Sequence, residues 1–185
     1  MRRQSECRRC RRVERWAYVD ESGRGSTYVL MAVVVCPCNY AVVSSRARAQ
    51  RRPGQRRLHM SKSGDRDRRS ILSAMGDLDL VLVCTSTAGK EVVARTRCWE
   101  VLVPALVEIG VRRLTIERLA GAERRDRADI RRALAVCRVN GLAYDHVDPH
   151  LEPVLWYADA GAWARVKGGT WLARIRHLIV RDLEC

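Results

Sequence analysis

Three carboxylates stand where a carboxylate is expensive. Asp20 closes the apolar run "WAYV" and is followed directly by Glu21, Glu117 closes "RRLTI", and Asp159 lies inside "VLWYADAGAWARV". On a helix, the residues three and four positions from Asp159 are Leu155, Trp156, Ala162 and Trp163, an apolar face. A buried ionised carboxylate costs several kcal/mol unless it is paired, hydrogen-bonded or bound to a cation. One answer is an ion pair with one of the chain's many arginines. The other is a shared metal, because two strand-end acids and a third on a helix packed against the same sheet converge where α/β proteins bind ligands. Hard oxygen ligands select Mg²⁺ or Mn²⁺. Two such ions about 4 Å apart would hold a scissile phosphate, activate water and stabilise the leaving oxygen.

The candidate metal ligands and catalytic groups are therefore Asp20, Glu117 and Asp159, with Glu21 and Asp145 as secondary candidates. Strand alternation points Glu21 to the opposite face from Asp20 unless the following turn brings it back. Asp145, His146, Asp148 and Glu152 precede the last long helix, and Asp145 or Glu152 is a candidate fourth ligand. Glu152 is seven residues before Asp159, close to the same helical face, although an acid at a helix N-terminus also serves the dipole.

The positive charge that could meet a polyanion is clustered. Of the net +14, residues 1–15 carry +5 from seven arginines and two glutamates, and residues 46–69 carry +8. The rest of the chain is nearly neutral, which is the footprint expected of a nucleic-acid partner whose counterions arginine displaces. GC-rich coding explains arginine over lysine and the absence of phenylalanine, but not this clustering. Arg51, Arg52, Arg56, Arg57 and Lys62 are the expected phosphate contacts. His59, in "RRLHMSKS", is a candidate to help bind or orient phosphate.

Eight cysteines include a CxxC, Cys7 and Cys10, and a CxC, Cys36 and Cys38, four thiolates that together suffice for one Zn²⁺. A lone CxxC without a matched second pair is a weak signal. Cys84, Cys98 and Cys137 lie in apolar runs and read as small buried residues. The arginine-dense N-terminus has no apolar segment at signal-peptide spacing, and Pro37 breaks the longest uncharged stretch, so a cytoplasmic protein without a membrane span or disulfides is expected.

These groups need elements to carry them. The length fits one domain, residues 16–185, behind a basic tail at 1–15. Trp16 to Val19 and Thr27 to Cys36 read as strands joined by a hairpin-type turn in "DESGRGS", with Ser22 and Gly23 as turn formers. Residues 46–64 carry no apolar period and read as a basic loop. Ser63 or Asp65 caps a helix through Met75. Asp79 to Thr87 is a strand, Lys90 to Ile109 a helix stopped by Gly110, and Arg112 to Glu117 a strand. Asp126 to Val139 is a helix ended by Asn140-Gly141, "LAYDHV" a strand, and Pro153 opens a helix through Val166. A hairpin followed by alternating helices and strands predicts an α/β mixed sheet in the order of elements of ribonuclease H-like folds.

No GxSxG elbow, P-loop, GxGxxG after a strand or HExxH is present. "YVDESG" on a first strand, "YVLMAVVV" on the next, "LHMSKS" before a helix and "EPVLWYADAGAWA" near the end resemble the bacterial family catalogued as domain of unknown function 3800. The resemblance runs from about Trp16 to Trp171. It implies a ribonuclease H-like fold, with Asp20 and Asp159 as metal-binding acids and Glu117 at a position more often held by aspartate. Some members of that family are linked to phage defence or mobile elements. The expectation is a divalent-metal-dependent nuclease or other phosphoryl-transfer enzyme acting on DNA or RNA. The alternatives are a catalytically inactive nucleic-acid-binding module in a defence or toxin complex, and a zinc-stabilised adaptor.

Overall fold

The computed structural model describes residues 7, 10, 13–24, 27–139 and 141–185, with Arg24 described by its backbone alone. Most of the tail at 1–15 thus lies outside the described residues. Six strands form one mixed sheet: β1 (Arg15–Arg24), β2 (Thr27–Val35), β3 (Leu80–Ala88), β4 (Val111–Glu117), β5 (Ala143–Val147) and β6 (Ile179–Glu184). Their order across the sheet is β5-β4-β1-β2-β3-β6. The first three pair antiparallel, β4 adds parallel to β1 and β5 to β4, and β6 adds parallel to β3. Three antiparallel strands extended by two parallel ones on the β1 side make the ribonuclease H-like arrangement the sequence order predicts.

Among the described residues six α-helices accompany the sheet: α1 (Tyr40–Ala49), α2 (Asp65–Gly76), α3 (Glu91–Glu108), α4 (Glu123–Cys137), α5 (Leu155–Lys167) and the short α6 (Gly169–Ala173). Strand alternation divides the core in two. Tyr18, Met31, Val33, Leu82 and Cys84 face α1, α2 and α5, while Ala17, Val19, Leu30, Ala32 and Val83 face α3 and α4. Because both faces are covered, β2 is buried from Tyr28 to Val35 and reads as a continuous apolar run.

The elements differ from the sequence reading where a polar residue hides a regular backbone. β1 does not stop at Val19 but continues through "DESGR", pairing Asp20 with Met31 and Glu21 with Leu30. Ser22 and Gly23 are strand residues, and only residues 25–26 separate β1 from β2. The first four residues of the expected basic loop, 46–49, are the end of α1, which buries Val43, Ser44 and Ala47 and turns Arg46 and Arg48 outward. Ser63 does not cap α2; Gly64 occupies the cap position and the Ser63 hydroxyl donates to the His59 carbonyl instead. Residue 140 lies outside the described residues, and α4 ends on Arg138 in the left-handed region, φ 53°. α1, α6 and β6 lie outside the elements the sequence pattern predicts: the apolar runs of α1 and β6 are short and broken by arginine, and α6 is only five residues long.

Candidate carboxylate site

The alternation that divides the core also sorts the carboxylates. Asp20 is two residues beyond Tyr18 and faces α5; Glu21 is two beyond Val19 and faces α3. In β4, Leu114 and Ile116 point into the α3/α4 core, so Glu117 shares Asp20's face. The parallel register pairs Tyr18 with Thr115 and Val19 with Ile116, and one further step sets Asp20 beside Glu117. The third acid comes from α5, which packs directly over β1 and β2.

That helix is buried on nearly all sides within a run of small residues, Ala158, Ala160, Ala162 and Ala164, and it approaches the sheet closely at Gly161. At Gly161 an added Cβ would come within 2.9 Å of Met31 Cγ. Asp159, two residues earlier, is thereby lowered onto the end of β1. The segment before α2 meets it there: the Met60 amide donates to Asp159 Oδ2 at 2.8 Å, and His59 Nδ1 lies 3.4 Å from the same oxygen. Arg68 fixes this segment by donating to the Met60 and Ser61 carbonyls, with its guanidinium 4.7 Å from the Trp163 ring centroid. Arg68 escaped the sequence reading because it was one arginine among many.

The result is a cluster of Asp20, Glu117 and Asp159 on one face of the sheet. Asp20 is 7% exposed. Burial, followed by the negative charges of Glu117, Asp159 and Glu21, pushes its carboxyl well above the usual carboxylate range, and it lies within hydrogen-bonding reach of Glu117. Two carboxylates at that separation cannot both ionise cheaply without a cation. The cation present is Arg57, whose Nη1 donates to Glu117 Oε1 at 2.6 Å. Burial works against its charge, yet the bond to Glu117 and the fields of Asp159 and Asp20 hold the guanidinium protonated. The three acids offer only oxygen donors, the chemistry that hard divalent ions take, and the Arg57 guanidinium lies against them as the counter-charge.

The secondary candidates are placed elsewhere. Glu21 Oε2 accepts from Arg95 Nη1 at 2.6 Å on the opposite face. Arg95, 3% exposed, also binds Asp126 through Nε at 2.6 Å and Nη2 at 2.8 Å, and Nη1 donates to the Tyr28 hydroxyl. Trp99 Nε1 donates to Asp126 at 2.9 Å, and His146 Nε2 lies 3.0 Å from it. Burial opposes ionisation of Asp126, but the hydrogen bonds from Arg95 and His146 outweigh it and hold the acid below the usual range. This network is a buried strut between β1, α3, α4 and β5. Sequence reading missed Asp126 because it sits in the arginine-rich stretch "ERRDRAD", which reads as a solvated face.

Asp145 is not brought to the cluster either. It is exposed, accepts from the His146 amide at 2.8 Å, and has Arg127 3.5 Å away. Glu152 accepts from the Val154 amide and the Tyr40 hydroxyl, at 3.1 and 3.0 Å, and so serves the entry to α5 rather than a metal. Asp148 accepts from the His150 amide within its own turn.

Of the expected phosphate contacts, Arg57 and His59 reach the acids themselves. Arg51, Arg52, Arg56 and Lys62 are exposed around them; Arg52 pairs with Asp67 at 2.5 Å and Arg51 donates to the Arg56 carbonyl. No described helix is long and apolar enough to cross a membrane.

No protein-family model matches the chain, and no curated protein matches it. Among solved structures, a chain of the PCNA:RNase HII complex from Archaeoglobus fulgidus aligns with a TM-score of 0.49 at 11% sequence identity, over 89% of this chain and 72% of that chain.

Proposed function

We propose that this chain is a divalent-metal-dependent nuclease, or a closely related phosphoryl-transfer enzyme, acting on nucleic acid. The observation that carries the reading is the convergence of Asp20, Glu117 and Asp159 from three separate elements on one face of the sheet, with Asp20 buried and the other two partly exposed. A fold gains nothing in stability by gathering three acids there, and active sites are where such unfavourable charge is kept. Asp20, Glu117 and Asp159 would hold Mg²⁺ or Mn²⁺. The metal, when bound, would supply Lewis-acid stabilisation of the scissile phosphate and an activated water.

The chain's own residues do the rest. The Met60 amide and His59 fix one Asp159 oxygen, the Glu21 amide one Asp20 oxygen and Arg57 one Glu117 oxygen, so the second oxygen of each acid would be the one to meet a ligand. Arg57 would exchange Glu117 for phosphate oxygens when substrate arrives, since carboxylate and phosphate both accept paired, charge-assisted hydrogen bonds from a guanidinium. Arg51, Arg52, Arg56 and Lys62 would hold the flanking backbone without reading sequence.

The test is cleavage of single-stranded, duplex and hybrid substrates with Mg²⁺ or Mn²⁺, beside Asp20→Asn and Asp159→Asn. Loss of cleavage with salt-sensitive binding retained supports the reading, and undiminished cleavage by the variants overturns the site. A second reading is favoured by one observation, the Arg57–Glu117 pair, which neutralises an acid with no metal needed. In that reading the domain binds nucleic acid without cutting it, and wild type and variants would bind alike, neither would cleave, and Mn²⁺ would leave thermal stability unchanged.

A further inference from the structure

The hairpin of β1 and β2 returns the chain to its starting point, so the residues before β1 meet those after β2. Trp16 pairs with Val35 at this end, and Cys7 and Cys10 lie against Cys36 and Cys38. All four Sγ atoms are within 4.8 Å of one another. Cys7 Sγ is 3.6 Å from Cys38 Sγ, Cys10 Sγ 3.4 Å from Cys36 Sγ, and Cys38 Sγ 3.1 Å from Cys36 Sγ. A disulfide joins its sulfurs at about 2.05 Å. Four thiolates around one zinc, each about 2.3 Å from the ion, are about 3.8 Å apart along the tetrahedron's edges.

We propose that Cys7, Cys10, Cys36 and Cys38 form a closed structural Zn²⁺ site that fastens the N-terminal segment to the far end of β2.

Several features bear on it. Cys7 and Cys36 are each 5% exposed, and Cys10 and Cys38 are half-buried, so the cage is shielded without being part of either apolar core. The turn carrying the second pair is preset: Pro37 opens a 3₁₀ turn, the Asn39 amide donates to the Cys36 carbonyl at 2.9 Å, and the Asn39 side chain is tied to Asp79. Four sulfur donors select zinc over the hard ions suited to the carboxylates. A zinc tetrathiolate carries a net −2 charge, and the sequence sets Arg8, Arg9, Arg11 and Arg12 between and just after Cys7 and Cys10. An iron–sulfur cluster spreads its cysteines over several irons and needs a wider cage.

The site is separate from the carboxylates. Asp20 pairs with Met31, five residues before Cys36 along a strand that rises about 3.4 Å per residue, so some 17 Å of β2 lies between them. With all four positions filled by protein, the zinc has no open coordination for substrate and contributes to folding instead.

Elemental analysis by inductively coupled plasma mass spectrometry on full-length protein purified without chelator tests this. About one zinc per chain is expected, falling below about one tenth in Cys10→Ser/Cys38→Ser, and unchanged in Cys84→Ser and in Asp20→Asn/Asp159→Asn. Replacement by Co²⁺ is expected to give the visible bands and thiolate charge-transfer absorption of a tetrahedral tetrathiolate, a readout on wild-type protein that needs no variant to fold. Zinc-free wild type, iron in place of zinc, sulfurs titrating as disulfides, or zinc retained by the double cysteine variant and lost from the double aspartate variant would each overturn the proposal.

Discussion

Arg57 and Glu117, sixty residues apart in sequence, are joined by a 2.6 Å hydrogen bond at the mouth of the carboxylate cluster. The guanidinium supplies the charge that a metal would otherwise bring. Arg57→Ala is therefore expected to tighten Mn²⁺ binding to the protein alone by about 2- to 10-fold, the range for losing a competing, partly exposed ion pair. Isothermal titration with Mn²⁺ measures it. The same variant should bind nucleic acid more weakly; unchanged Mn²⁺ affinity would remove Arg57 as the stand-in cation.

Asp20 makes stability depend on pH in a definite direction. Its folded-state pKa is raised by burial and by Glu117, Asp159 and Glu21, whereas the unfolded chain titrates it near the ordinary aspartate value. Below that ordinary value both states are protonated and the fold is undisturbed. As pH rises toward the folded-state pKa, the unfolded chain ionises first and stability falls. Asp20→Asn imitates the protonated acid, so in metal-free buffer it should melt above wild type at neutral pH and converge with it near pH 4. Each kcal/mol gained appears as about 2–4 °C in Tm for a chain of this size. Mn²⁺ should raise the Tm of wild type but not of the variant.

Glu21 and Asp20 are adjacent but should behave differently. Glu21→Gln leaves the three-acid cluster intact and is expected to retain cleavage, where Asp20→Asn does not. Arg95→Ala strands Asp126, which is fully buried, and should cost about 3–5 kcal/mol in denaturant unfolding. Because Asp126 is held below the usual carboxylate range, its contribution is present above the ordinary aspartate pKa and is lost as pH falls beneath it. Arg95→Ala should therefore flatten the acid limb of the wild-type stability profile. Loss of cleavage in a folded Glu21→Gln variant would move Glu21 into the site.

Gly161→Ala puts a methyl group 2.9 Å from Met31 Cγ under the helix that carries Asp159. Overpacking of this kind costs about 1–3 kcal/mol. Raising α5 from the sheet also moves Asp159 relative to Asp20, so metal affinity should fall along with stability. Met31→Ala in the same chain makes room. A double-mutant cycle should show the pair less destabilised than the sum of its parts, and strict additivity would mean that the helix does not bear on Met31.

The sequence by itself determined the α/β order, because β2, β3 and α5 are long, apolar and bounded by turn residues. It also determined that Asp20, Glu117 and Asp159 were unusual, because each interrupts an apolar pattern and needs a counter-charge. It could not assign β1 beyond Val19, since acids and glycine there resemble a turn until a paired strand and facing helices give each side chain a partner. It could not separate Arg57, Arg68 and Arg95 from the other arginines, as all share one chemistry and differ only in what lies opposite. Which acids meet depends on strand parity and parallel register: a one-residue step sends Glu21 to Arg95 and Asp20 to Glu117. That choice, like the meeting of Cys7 and Cys10 with Cys36 and Cys38, belongs to the tertiary structure, because it joins residues whose separation along the chain says nothing of their distance in space.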